Sequence, residues 1–195
     1  MLILGLTGKT GAGKSTVADY LNKKGCFIID GDKVAREIVL PSSPVLRELA
    51  DAFGEDIILS DSSLDRKVLA ERAFLSREKT ELLNSITHPH IKRRFEQLIE
   101  KAEKEGYGVA VIDAAALLES DCRELCEKII VVHADEALRL QRIIVRDGIS
   151  REQAMIRING QREDNYYFGW ADVIINNNEN GDLEKELEKL KELIL

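Results

Sequence analysis

Residues 8 to 16 read Gly8-Lys9-Thr10-Gly11-Ala12-Gly13-Lys14-Ser15-Thr16, and the first eight satisfy the spacing G-x-x-x-x-G-K-[ST]. These residue types at this spacing bind a polyphosphate. Gly8, Gly11, Ala12 and Gly13 belong to a loop that folds its backbone N–H groups inward around phosphate oxygens, and its glycines allow conformations and close approaches that a Cβ would hinder. Lys14 supplies a mobile cation for the β- and γ-phosphates, and the Ser15 hydroxyl is a ligand for Mg²⁺. A helix expected over Ser15 to Lys24, with Thr16 in its first turn, would aim its N-terminus at the same anion and add a partial positive charge. A chance glycine-rich turn is the competing reading, disfavoured because an apolar strand-like run precedes the loop and a helical stretch follows it. The motif implies a nucleoside triphosphate ligand.

Further chemistry-bearing residues decide what is done with that ligand. Asp30-Gly31-Asp32 falls at the end of the second expected strand, and the carboxyl ends of parallel strands are where ligands bind in open α/β sheets. Asp32 could take the proton from an attacking hydroxyl or orient it for in-line attack. It could equally be a helix N-cap, and the local sequence leaves both open. Asp113 closes Val109-Ala110-Val111-Ile112-Asp113 and resembles a Walker-B carboxylate that reaches the metal through water. Arg139, Arg142 and Arg146 recur at helical spacing and Arg157 and Arg162 follow, which together favour a closing lid that neutralises charge on a transferring phosphate. For any single arginine, a solvated face paired to Asp147 and Glu152 is the alternative. A guanine-reading Asn-Lys-x-Asp segment is absent from the chain, which lowers the GTPase reading.

The elements that must position these residues alternate between short β-branched runs and longer helical stretches, the pattern of an α/β fold built on a mainly parallel sheet. Five strands are expected, at Leu2 to Leu6, Phe27 to Asp30, Gly108 to Asp113, Ile129 to His133 and Val173 to Ile175. Near-continuous apolar runs among them suit strands covered on both faces. Between the second and third, a stretch too long for a simple crossover reads as several helices, including Val45 to Phe53, Arg66 to Phe74 and Ile91 to Glu105. A helical block runs from Glu136 through Arg157, and Leu183 to Leu195 reads as an amphipathic surface helix.

Composition bounds the partners. A chain of 195 residues is short for two ordinary domains, so one compact unit with a helical insertion is expected. The formal net charge of −7 gives no overall field for nucleic acid, and no apolar run approaches the length of a membrane span. Three cysteines fit a reducing compartment, so a cytoplasmic location is expected. Cys122 and Cys126 lack a His or Cys pair to complete a zinc site and read as small core residues. His88-Pro89-His90 reads as the end of one helix and the start of the next. Tyr166-Tyr167-Phe168 with Trp170 reads as a packed corner.

Along nearly its whole length the chain resembles the dephospho-CoA kinase family. The likeness lies in Leu4-Gly5-Leu6-Thr7-Gly8 with Gly11 to Ala18, Ile29-Asp30-Gly31-Asp32 followed by Ala35-Arg36, His88-Pro89-His90-Ile91, and Arg142, Arg146-Asp147, Arg157-Ile158 and Gln161. It closes on Ala171-Asp172-Val173-Ile174-Ile175-Asn176-Asn177. The resemblance implies a P-loop NTPase fold with a five-stranded sheet, a helical substrate-binding region and a lid. Residues 1–31 and 107–135 would form the nucleotide core, 32–106 the helical region, 136–170 the lid, and 171–195 the closing strand and helix of one kinase domain. It also implies ATP and Mg²⁺, transfer to the ribose 3′-hydroxyl of dephospho-CoA, Asp32 as the base, Arg36 and His88 at the substrate, and Arg142 and Arg146 on the transferring group. A kinase of another nucleoside, nucleotide or small alcohol, or a nucleotide-dependent switch, are the rival readings. Lys9 stands where the family often has a second glycine, and Ala114-Ala115-Ala116-Leu117-Leu118-Glu119 lacks the proline usual before the paired leucines.

Overall fold

The apolar runs become the five strands of one sheet in the computed structural model, which describes residues 1–178 and 182–194. They are β1 (Leu2–Gly8), β2 (Phe27–Asp30), β3 (Val109–Asp113), β4 (Lys128–His133) and β5 (Val173–Asn176). Among the described residues the helices are α1 (Lys14–Lys23), α2 (Gly31–Glu37), α3 (Pro44–Phe53), α4 (Arg66–Ala73), α5 (Arg77–Lys104), α6 (Glu136–Asp147), α7 (Arg151–Asn159), α8 (Asp164–Phe168), α9 (Leu183–Glu188) and α10 (Lys191–Ile194). The strand order is β2-β3-β1-β4-β5, and β1 runs parallel to both β3 and β4, as β4 does to β5. Register decides where the chemistry lies. Leu6 sits opposite Asp113, and Gly8 opposite Val132, so the carboxyl ends of the three central strands open at one edge of the sheet.

Contacts divide the chain into two compact units, Met1–Ile29 with Ile99–Leu195, and Asp30–Leu98. In the first, β1 is the central strand, and Leu4 and Leu6 are fully buried with Val17 and Leu21 of α1, Ile130, Val132 and Ile175. Each fully buried aliphatic side chain contributes about 1.5–3 kcal/mol. Gly5 is where β1 admits a close neighbour, since a Cβ there would lie 2.6 Å from the Leu117 side chain and 2.7 Å from that of Ile129. Asp172 ties β5 to β4 by accepting from the Ile129 backbone N–H at 2.8 Å and pairing with Lys128. Cys122 is buried, and burial pushes the Cys126 thiol up to about 12, the behaviour of an inert packed thiol rather than a nucleophile.

The expected helical block resolves into two helices in this fold, and the expected single helix of the tail is corrected. The block from Glu136 through Arg157 is two helices: Gly148, at φ 62°, ends α6 in the left-handed conformation, and Ser150 and Gln153 form a reciprocal capping box that starts α7. The tail likewise divides into α9 and α10, and the last residue of the expected span, Leu195, lies outside the described residues.

The second unit has its own core of Val45, Leu49, Phe53, Ile57, Leu69 and Ala73, with Leu83 and Ile86 of α5 packed on it. Ser43 caps α3 ahead of Pro44, and the Asp65 carboxylate accepts from the Lys67 and Val68 N–H groups at the start of α4. Here the expected helix boundary at His88-Pro89-His90 is overturned. Helix α5 starts at Arg77 and carries Pro89 in its interior. Pro89 forfeits one backbone hydrogen bond, and the apolar side chains of the preceding turns, packed on the α3–α4 core, hold the helix through it.

Candidate active site

The loop from Gly8 to Gly13 needs glycine for reasons its neighbours impose. Gly8, Gly11 and Gly13 all have positive φ, at 149°, 78° and 96°. A Cβ on Gly8 would lie 2.3 Å from the Val132 carbonyl oxygen, one on Gly11 2.8 Å from that of Arg139, and one on Gly13 2.1 Å from Asn177 Nδ2. Helix α1 then begins with Gly13 in the left-handed region and no side chain capping its first turn, so its N-terminal N–H groups face outward as an anion site. Ser15 and Thr16, in that turn, are exposed.

Lys14 and Asp113 meet directly, Nζ to Oδ1 at 2.7 Å, with side chains only 22% and 18% exposed. The register that places Leu6 beside Asp113 brings the carboxylate to the loop. It lies where a cation and a carboxylate together can position a metal-bound triphosphate.

Four of the arginines separate into three environments, and the fifth, Arg162, lies 5.6 Å from the centroid of the Tyr166 ring. Arg139 is buried, donating to the Ala134 carbonyl at 3.1 Å and the Thr10 carbonyl at 3.5 Å, so it belongs to the loop's scaffold and not to a solvated face. Arg142 donates to the carbonyls of Gly11 and Ala12 at 3.3 and 3.4 Å and to that of Asn177 at 3.1 Å. Arg146 is turned to Asp147 at 2.7 Å, and Arg157 joins the same carboxylate. The hydrogen bond from Arg146, with the nearby charge of Arg157, holds the Asp147 carboxyl below its usual range. The structure thus places Arg142 on the phosphate loop and Arg146 on Asp147.

Two residues that spacing alone did not single out also hold the loop. Asn177 Nδ2 donates to the Ala12 carbonyl at 2.8 Å, and Gln161 Oε1 accepts from the Thr10 N–H at 3.0 Å. Each lies more than 150 residues away in the chain, so only the family likeness pointed to them. The aromatic corner is mixed: Tyr167 is buried, whereas Trp170 is 43% exposed with the Arg123 guanidinium 4.3 Å from its ring centroid.

In the second unit, Asp30 and not Asp32 is the N-cap of α2, accepting from the Lys33 N–H at 2.9 Å. Asp32 occupies the first turn and is exposed, with its carbonyl accepting from Arg36 Nε at 3.0 Å. His88 is half-buried on α5.

The crowding at Gly13 gives a direct test. Gly13→Ala is expected to lower stability by about 1–3 kcal/mol and to weaken ATP binding, read by thermal melting and calorimetry. Gly25 is the control, with φ 86° but nothing within 4 Å of an added Cβ. Gly25→Ala should cost only about 1 kcal/mol, the left-handed penalty, and equal losses for the two variants would show that the contact with Asn177 is without consequence.

A family model described as dephospho-CoA kinase matches residues 2–182. A dephospho-CoA kinase of Corynebacterium glutamicum is 43% identical over 191 residues, covering 97% of this chain and 96% of its own length. Among solved structures, TT1252 from Thermus thermophilus superposes with a TM-score of 0.79 at 28% identity, over 98% of this chain and 95% of the other. A dephospho-CoA kinase from Campylobacter jejuni gives 0.62 at 27% identity, over 98% and 96%.

Proposed function

We propose, from the premise that the chain belongs to the dephospho-CoA kinase family, that it transfers the γ-phosphoryl group of ATP to the ribose 3′-hydroxyl of dephospho-CoA, giving coenzyme A and ADP. The observation that carries the nucleotide half of this reading is the uncapped, glycine-entered N-terminus of α1 with Lys14 held beside Asp113, and the acceptor is supported by the family. The triphosphate rests on residues 8 to 16, with backbone N–H groups and Lys14 meeting its oxygens. Asp32 takes the proton from the attacking hydroxyl or orients it, Arg36 and His88 contact the acceptor, and Arg142 and Arg146 stabilise charge on the transferring group. For the two arginines this requires exchange of partners, Arg142 from loop carbonyls and Arg146 from Asp147, to phosphate oxygens.

The donors near the loop suit Mg²⁺. Ser15 offers an exposed hydroxyl and Asp113 a carboxylate, and Mg²⁺ binds through a few such oxygens while keeping water and phosphate in its shell. No group of three His, Cys, Asp or Glu side chains able to hold a metal occurs among the described residues, so the phosphates would complete the site. Bound there, Mg²⁺ neutralises charge on the phosphate oxygens. Among the described residues no helix is long and apolar enough to cross a membrane.

Incubation with ATP, Mg²⁺ and dephospho-CoA should yield coenzyme A, with little transfer to adenosine, AMP or pantetheine in parallel reactions. Equal transfer to adenosine or AMP would move the acceptor to nucleosides or nucleotides. ATP hydrolysis indifferent to every acceptor would move the reading to a switch.

A further inference from the structure

The loop holds a second lysine, and it is neither free nor directed to solvent. Lys9 follows the last residue of β1, its side chain is 14% exposed, and its Nζ lies 2.7 Å from Oδ1 of Asp164, the first residue of α8. His133 Nδ1 stands 3.8 Å from the same oxygen, and the His133 ring meets Phe168 edge-on at 5.3 Å. The cavity between Lys9, Val132, His133, Asp164, Tyr167 and Phe168 has a volume of about 10 Å³, room for one water at most. Its neighbours repeat the tie, since Thr10 is bonded through its N–H to Gln161 and through its carbonyl to buried Arg139. Burial raises the Asp164 carboxyl, but the Lys9 hydrogen bond and charge, with His133 and Arg139, outweigh it and hold the group below its usual range.

We propose that Lys9 and Asp164 are positioning residues for the nucleotide, a charge pair in which Lys9 neutralises a carboxylate that would otherwise repel the triphosphate from the loop. The inference rests on the phosphate-loop reading above. It follows from where the pair lies. The Asp164 side chain is 43% exposed, so solvent screens part of its charge, but it is held at 2.7 Å by a lysine that is only 14% exposed on the residue that opens an anion-binding loop, and loss of that lysine leaves the negative charge beside the anion unbalanced. Lys9 is therefore more than a fastening. A fastening and a charge pair make opposite predictions for the variant lacking both members, because removing both charges removes the repulsion and leaves the fastening broken.

Lys9→Met and Lys9→Gln are expected to raise KM for ATP about tenfold while kcat stays within about threefold, since neither touches Lys14. Adding Asp164→Asn to either should return KM to within about threefold of the parent. A double variant as impaired as the single would overturn the proposal in favour of a plain structural tie, and so would an unchanged KM in both single variants. Lys14→Ala in the same assay distinguishes failure of the charge pair from failure of the phosphate loop. If it loses activity while the Lys9 series shows no change in KM, the charge pair fails and the phosphate loop stands; if it too is unaffected, the loop reading itself fails.

Discussion

Lys14→Ala is expected to lower kcat/KM for ATP by about 10²–10³-fold, the usual loss when one preorganised charge or donor is removed from a site where transition-state charge develops. That corresponds to roughly 3–4 kcal/mol. Two losses are combined. The ammonium no longer meets the phosphate oxygens, and Asp113, 2.7 Å from it in the parent protein, is left as a half-buried carboxylate without its partner. Lys14→Ala/Asp113→Asn distinguishes them: recovery of part of the rate measures the repulsion, and no recovery assigns the whole effect to the missing cation or to a separate need for Asp113. Lys14→Arg keeps the charge but presents a wider planar fork in a loop closed by Arg142 and Asn177, so it should fall between parent and alanine. A rate at saturating ATP within about threefold of the parent would remove Lys14 from the role.

What could be foreseen of this site was what neighbours in sequence dictate. Gly8 to Ser15 is a local constellation, and its flanking strand and helix are local too, so the loop's composition and placement were legible at once. The five strands were legible for the same reason, as apolar runs that a doubly covered parallel sheet requires. Their order was not: nothing within β1 says that Asp113 will stand beside Leu6 or Val132 beside Gly8, because pairing is decided by the whole chain. Arg139, Gln161 and Asn177 reach the loop from 129 to 165 residues away, a distance over which residue spacing carries no information. Lys9 is the sharper case. In the sequence it stands only as a replacement of glycine, and its ion pair with Asp164 exists only once α8 is packed against the end of β4. Local rules also misled where packing outweighed them. Pro89 signals a helix boundary, yet α5 passes through it, whereas Gly148 and the Ser150 to Gln153 box are local signals that divide the expected helical block into α6 and α7.

The two aspartates where β2 passes into α2 make the second large prediction, because the structure gives Asp30 the helix cap and leaves Asp32 out of it. Asp30 accepts the Lys33 N–H and caps α2, leaving Asp32 in the exposed first turn. Asp32→Asn, which preserves size and removes the charge, should therefore reduce kcat by about 10²–10⁴-fold, the contribution of a positioned acid–base group, with ATP affinity largely retained because the loop and α1 are unaltered. Asp30→Ala should instead cost about 1 kcal/mol of stability through the lost cap, seen as a lower melting temperature. Measuring turnover, ATP affinity and melting temperature for both gives a crossed comparison that a general disturbance of α2 cannot imitate, since such a disturbance would lower stability and rate together in each variant. Near-normal turnover in Asp32→Asn would remove it as the base. Loss of turnover in Asp30→Ala beyond what its melting accounts for, with Asp32→Asn active, would transfer the proton to Asp30 and require that carboxylate to leave the Lys33 N–H during the reaction, a change that should appear as faster hydrogen exchange at the start of α2 when both substrates are present.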